Sequence, residues 1–251
     1  MTHLYDLPVQ TLQCYVTASY PCSYLEGQSA RSQVVTPGPL IDQELYSVLV
    51  ENGFRRSGLF TYRPHCHHCR ACIPVRIRVQ DFVPSRIQRR VWKRHRALEV
   101  RSLPLCFEPE HFSLYTRYQQ ARHREITQDR TGEDQYRQFL LQSSLPTRLV
   151  EFREAGQLRM VSLIDELAQG LSSVYTFYEP DMPGTSYGTY NILWQIEECR
   201  SQRLPWLYLG YWIRSCTKMT YKSRFQPLEA WVSGAWTSFP ELLESPDSPI
   251  R

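Results

Sequence analysis

Lysine is nearly missing from this sequence of 251 residues: of its 29 basic side chains, 26 are arginine and 3 are lysine. Long apolar runs are missing too. Stretches such as Leu45 to Val50 are far too short to span a bilayer, and Met1 to Pro8 lacks the basic-then-apolar pattern of an export signal. With no export signal, the eight cysteines read as reduced thiols or metal ligands rather than as a disulfide framework, and a cytoplasmic location without a membrane partner is expected. No internal repeat is visible either. At 42% hydrophobic content the chain can bury a substantial core in one large or two small domains.

Acid is scarce in one segment. Residues 55 to 101 hold 13 Arg or Lys and 2 acids, a local excess of +11, while the formal net charge of the whole chain is only +4. The rest of the chain is therefore acidic, and one segment carries the cationic field. The arginine bias suits bidentate recognition of phosphate or carboxylate, although genomic base composition produces the same bias.

The spacing of Ile41, Leu45, Val48 and Leu49 predicts a helix ended by Asn52-Gly53, after an N-terminal part that reads as irregular to about Pro39. Phe54 to Tyr62 reads as a hairpin turning at Ser57-Gly58. Ile73, Val75, Ile77 and Val79 alternate with Arg76 and Arg78 as in a half-buried strand. Ser85 is a candidate N-cap for a basic helix from Arg86 to about Ala97, and a second helix is expected from Pro109 to about His123. Strands are expected at Arg148 to Arg153, Leu158 to Ile164 and Leu171 to Tyr178, followed by a helix from Tyr190 to Arg203, a short strand from Trp206 to Leu209 and a Pro-rich tail from Pro240.

An antiparallel meander followed by helix and strand is the order of acetyltransferase-like α+β domains, in which a splayed sheet opens a cleft for an acyl donor. This predicts an α+β chain: residues 1–85 as a small cysteine-containing module, and residues 86–251 as an acetyltransferase-like domain that begins with the basic helix. The glycine-rich loop that binds the pyrophosphate of coenzyme A is lacking. Its place is taken by Pro180-Asp181-Met182-Pro183-Gly184-Thr185-Ser186, so another activated acyl group is expected in the cleft, and no coenzyme A.

Four groups of residues bear on chemistry. Cys66, Cys69 and Cys72 stand at three-residue spacing among His65, His67 and His68, with Cys22 as the candidate fourth ligand. This suits a structural zinc or an iron–sulfur cluster, or a loop of reduced thiols that simply packs. Second, Arg86, Arg89, Arg90, Lys93, Arg94 and Arg96 crowd one helix, with Arg76 and Arg78 on the strand before it. A solvated helix face would look the same, but the local charge excess and Trp92, which can stack on an unpaired base, point to RNA. Third, Arg55 and Arg56 are adjacent in a strand and so point to opposite faces, which lets one of them enter a cleft as a carboxylate receptor. Last, among the aromatic residues of the second half stand Asp165, Gln195, Glu197, Lys218 and Lys222, the polar groups available for chemistry.

Several motifs taken together resemble one family: Pro21-Cys22-Ser23-Tyr24-Leu25, Gly53-Phe54-Arg55-Arg56-Ser57-Gly58, Tyr62-Arg63-Pro64-His65-Cys66, Leu171-Ser172-Ser173-Val174-Tyr175 and Leu207-Tyr208-Leu209-Gly210-Tyr211-Trp212-Ile213. The chain resembles the bacterial aspartate/glutamate leucyltransferases, relatives of the eukaryotic arginyl-tRNA–protein transferases, from about Tyr20 to Pro227. One departure is Leu25, which stands where eukaryotic relatives carry a second cysteine. The resemblance implies an aminoacyltransferase that passes leucine from leucyl-tRNA to the N-terminal Asp or Glu of acceptor proteins, marking them for degradation by the N-end rule. It requires no cofactor for the chemistry. For such a reaction we expect Arg55 or Arg56 on the acceptor carboxylate, the helix bearing Arg89, Arg90, Trp92 and Arg94, with Arg76, on tRNA, and Asp165 or Glu197, with Tyr190, orienting the amine. An arginyl donor, a non-catalytic metal-containing RNA-binding module and a coenzyme A-dependent acetyltransferase are the alternatives.

Overall fold

The computed structural model describes residues 12–36, 40–122 and 132–239. Met1 to Pro8, the end of the expected second helix at His123 and the tail from Pro240 lie outside the described residues. The N-terminal part is not irregular where it is described. It forms β1 (Gln13–Val16), β2 (Tyr20–Pro21), β3 (Ser29–Ala30) and β4 (Ser32–Thr36). These strands are short, and β1 and β2 are exposed along their length, so they lack the alternation that would reveal them in a sequence.

The helix α1 (Gln43–Glu51) is capped by Asp42, whose carboxylate accepts from the Leu45 amide, and ends at Asn52 before Gly53, which adopts a φ of +82°. β5 (Arg55–Ser57) and β6 (Phe60–Pro64) form the expected hairpin, and β1, β4, β6 and β5 make a small antiparallel sheet in that order. β7 (Ile73–Arg78) then joins a different, eight-stranded sheet. In α2 (Arg86–His95) the capping box pairs the Ser85 hydroxyl with the Gln88 amide and the Gln88 side chain with the Ser85 amide. β8 (Glu99–Leu103), α3 (Pro109–Arg122) and α4 (Glu133–Tyr136) lead into the meander β9 (Thr147–Glu154), β10 (Gln157–Leu167) and β11 (Gly170–Tyr178). The last third comprises α5 (Tyr187–Ser201), β12 (Trp206–Trp212), the short α6 (Thr217–Thr220), and the pair β13 (Leu228–Val232) and β14 (Ala235–Ser238).

The eight-stranded sheet runs β14-β13-β7-β12-β11-β10-β9-β8. Its one parallel pair is β11 with β12, joined only at Gly170, Leu171 and Ser172 opposite Trp206, Leu207 and Tyr208. Beyond Ser172 both strands continue unpaired with each other, so the sheet splays there, as the acetyltransferase-like order predicts. Two faces bury different cores. Val150, Phe152, Met160 and Ile164 pack beneath α2 and α5, and Leu149, Val161, Leu163 and Phe177 pack beneath α3 and Tyr136. This explains why β10 reads as an almost continuous apolar run.

The boundary expected at residue 85 falls after β7, and β7 lies inside the large sheet, between β12 and β13. A buried ion pair fastens the small sheet to the large one. Arg56 donates to Asp165 from Nη2 at 2.6 Å and from Nε at 2.8 and 3.0 Å, with both side chains sealed from solvent. Thr147 and Tyr46 hydroxyls donate to the same carboxylate at 2.7 and 3.1 Å. Removing one partner leaves a buried guanidinium without compensation. Asp165→Ala is therefore expected to lower the unfolding free energy by about 3–5 kcal/mol, measurable by urea denaturation.

Candidate active site in the splay of the large sheet

Because neighbouring strand residues point to opposite faces, Arg56 buried toward Asp165 sends Arg55 the other way. Its guanidinium lies in the throat between β11 and β12, and Nη2 donates to the Ser173 carbonyl at 2.6 Å. Both strands are irregular there. The pairing of β10 with β11 shifts register between Leu163 and Ile164, and the pairing of β7 with β12 shifts between Tyr208 and Gly210. Gly210 has a φ of +75°, and a Cβ there would lie 2.7 Å from Arg55 Nη1. The positive φ favours glycine, and any Cβ would displace the Arg55 guanidinium. Arg55 Nη1 is buried and has no hydrogen-bond partner. A cationic N–H in that condition is costly unless a ligand meets it.

The walls of the throat are phenolic. Tyr24, Tyr46, Tyr62 and Tyr211 all have raised pKa values, chiefly from burial, with the Arg55 charge opposing the shift in each. Lys222 is buried alongside and donates from Nζ to the Tyr211 carbonyl at 2.5 Å. Burial, and next the charge of Arg55, pull its pKa down from 10.5 to about 7. On the α5 side Gln195 Nε2 donates to Ser162 and Ser173 hydroxyls at 3.4 and 3.3 Å, and Asn191 Nδ2 to the Thr176 hydroxyl at 2.9 Å. Gln195 Oε1, Asn191 Oδ1 and Ser172 Oγ are buried without partners, leaving acceptors beside the throat.

The residues expected to orient an amine do not converge here. Asp165 is saturated by Arg56, Thr147 and Tyr46. Tyr190 is a core residue, with ring centroids 5.4 Å from Trp92 and 6.0 Å from Phe152. Glu197 is exposed on α5 and paired with Arg200 at 2.6 Å. Arg76 is likewise withdrawn from any ligand: it is buried, pairs with Glu229 at 2.8 Å and stacks 3.5 Å above Trp206. Gly210, Ser173, Asn191 and Tyr46 were not individually anticipated. Asn191 and Gln195 do leave a trace in the sequence, as two polar residues one turn apart in a helix with apolar neighbours.

On α2 the side chains of Arg86, Arg89, Arg90, Lys93, Arg94 and Arg96 are exposed, and among the described residues none is paired with an acid. Two are tied to backbone carbonyls, Arg89 to Pro84 at 2.7 Å and Arg94 to Gly184 at 2.6 Å. Trp92 packs against Tyr190 and the core, which takes it away from the role of free stacking platform. The Gly184 carbonyl belongs to the loop between β11 and α5, so the basic helix abuts the loop where coenzyme A-dependent enzymes would bind pyrophosphate.

A cavity of about 310 Å³ adjoins the throat between β4, β6 and the cysteine loop, and Tyr62 and Tyr211 line it. Cys22, Cys66, Cys69 and Cys72 all line it too. They are close enough that burial, then the charges of Cys22, Cys69 and Cys66, push the Cys72 thiol up to about 12. Among the described residues, however, no three or more His, Cys, Asp or Glu side chains close on a point that could hold a metal ion. His65, His67 and His68 are exposed on the loop. The zinc or iron–sulfur expectation is therefore not confirmed.

Two family profiles cover most of the chain: that of the arginine-tRNA-protein transferase N terminus matches residues 20–90, and that of the arginine-tRNA-protein transferase C terminus matches residues 110–232. An aspartate/glutamate leucyltransferase of Nitrosospira multiformis is 58% identical over 98% of this chain and 96% of its own. Proteins of the same name from Polynucleobacter necessarius and Chromobacterium violaceum are 53% and 50% identical, over 94% and 96% of this chain and 96% and 100% of theirs. Among solved structures, L-PGS from Bacillus licheniformis aligns with 9% identity and a TM-score of 0.41 over 66% of this chain and 49% of that one, too loose a likeness to define the fold.

Lys222 makes stability depend on pH. Between about pH 7 and 10.5 the unfolded chain keeps a lysine proton that the folded chain has released, so this residue makes stability rise with pH across that window. Urea unfolding at pH 7 and 8.5 should therefore show the wild type gaining about 1–2 kcal/mol relative to Lys222→Met.

Proposed function

The chain belongs to the arginine-tRNA-protein transferase family, alongside the aspartate/glutamate leucyltransferases, and we propose that it transfers leucine from leucyl-tRNA to N-terminal Asp or Glu in the throat beside Arg55. The observation that carries this reading is the Arg55 guanidinium, held where the sheet splays with a buried N–H still unpartnered. It is the receptor for the acceptor's side-chain carboxylate. Arg56, engaged by Asp165, is not.

The acceptor's α-amine attacks the ester carbonyl carbon of the aminoacyl group. The C–N bond forms, the bond to the tRNA 3′ oxygen breaks, and the proton lost by nitrogen passes to the leaving oxygen. With an α-amine pKa of about 7.7–8.0, a useful fraction of the nucleophile, roughly a tenth to a sixth, is neutral at pH 7. Alignment can contribute roughly 7–11 kcal/mol, so positioning by Arg55 and the polar seam of Gln195, Asn191 and Ser173 suffices without a covalent enzyme intermediate. The exposed cations of α2 take the tRNA phosphates. Residues 1–85 read the acceptor and residues 86–251 hold the donor, in a cytoplasmic enzyme that uses neither coenzyme A nor a metal in the chemistry. The labelled acceptors would then enter the N-end rule route of protein degradation.

The test is to incubate the full chain with radiolabelled leucyl- or arginyl-tRNA and peptides beginning with Asp, Glu, Arg or Ala. Label should pass from leucyl-tRNA to the Asp and Glu peptides alone. Label from arginyl-tRNA would change the donor, and none from either would return the chain to a non-catalytic RNA-binding role. Arg55→Gln is expected to reduce transfer about 10- to 100-fold, the worth of a charged hydrogen bond, with leucyl-tRNA affinity unchanged. Replacing Arg86, Arg90 and Lys93 with Gln should weaken tRNA binding and shallow its salt dependence by roughly one slope unit per lost phosphate contact. An unchanged slope would remove α2 from the interface.

A further inference from the structure

Asp and Glu differ by one methylene, so a protein that accepts both but rejects their amides has to recognise the carboxylate itself at two reaches. One guanidinium in the throat is a narrow device for that. The cavity beside it contains a second. Arg31 lines the cavity, and its Nε is buried with no hydrogen-bond partner, the same condition as Arg55 Nη1.

Arg55 opens onto the face of the small sheet that borders the cavity. Arg55 pairs across the hairpin with Tyr62, and Tyr62 pairs in turn with Val34, so these three side chains share a face. Tyr62 and Val34 line the cavity, and Tyr62 also feels the charge of Arg55. Arg31 sits just before β4, with its position fixed from the cysteine loop. Its carbonyl accepts from the His65 amide at 2.8 Å and from the Cys66 thiol at 3.7 Å. Among the described residues no Asp or Glu lines the cavity, and the walls include Tyr20, Tyr24, Phe60 and Tyr211. A guanidinium in such surroundings attracts an anion far more strongly than it would in water, and the anion is not supplied by the walls.

We propose that this cavity receives the side chain of the acceptor's N-terminal residue, and that Arg31 is a second, specificity-determining reader of its carboxylate. This rests on the transferase reading given above. Asn or Gln in the same place would leave the Arg31 cation unanswered, and a site built to pair with a charge rejects the neutral isostere by a large factor. The cysteine loop then acts as the support that presents Arg31.

The experiment uses the full chain, leucyl-tRNA and four peptides that begin with Asp, Glu, Asn or Gln, comparing wild type with Arg31→Gln and Arg31→Lys. Arg31→Gln should raise KM for the Asp and Glu peptides about 10- to 100-fold and narrow the preference for Asp over Asn by the same factor, while the KM for leucyl-tRNA stays within about twofold. Arg31→Lys, which keeps charge and length but not the planar fork, should recover part of the preference and keep the wild-type thermal midpoint. Unchanged acceptor KM and unchanged Asp-over-Asn preference in both variants would overturn the proposal. So would a loss in Arg31→Lys that falls equally on both substrates. Failure of the wild type to use acidic peptides would instead sink the underlying transferase reading.

Discussion

The arrangement of this protein depends on the buried pair of Arg56 with Asp165. In place of a hydrophobic contact it gains little net stability, because desolvating both ions offsets most of their attraction. What it supplies is registry. A charge sealed at this depth tolerates one partner, so the small sheet can seat against β10 in one way only. With Arg56 committed inward, strand alternation leaves Arg55 no choice of face, and the guanidinium arrives in the splay of the large sheet.

The two adjacent arginines thus go to different places, one into a buried ion pair and one into the throat, and the sequence shows that they must face apart without showing which is which. That was decided by Asp165, which is 109 residues away in the chain. Arg76 gives the same lesson. Its neighbours suggested a cationic surface strand, but Glu229, 153 residues away, neutralises it and Trp206 covers it. Charge patterns are local and ion pairs are not.

What was legible was whatever local chemistry determines. The capping box of α2, the hairpin at Ser57-Gly58 and the meander of β9, β10 and β11 follow from caps, turns and period. The short strands β1 to β4, together with β8, β13 and β14, were not anticipated, because they owe their form to partners far along the chain more than to their own patterning. In the candidate site, Arg55 and the cations of α2 stood out by charge. Gly210 and Arg31 did not, since a missing side chain and a single arginine outside the basic segment acquire meaning only from what surrounds them.

The position of β7 has a consequence for how such a protein can be divided. The chain leaves the cysteine loop, passes through the middle of the large sheet between β12 and β13, and only then enters the basic helix. A cut at residue 85 would carry that strand away with the N-terminal half and open two unpaired edges in the other. The N-terminal half of the chain thus lends one strand to the large sheet, so exchanging N-terminal halves between relatives would succeed only if the central strand stayed with the sheet it completes.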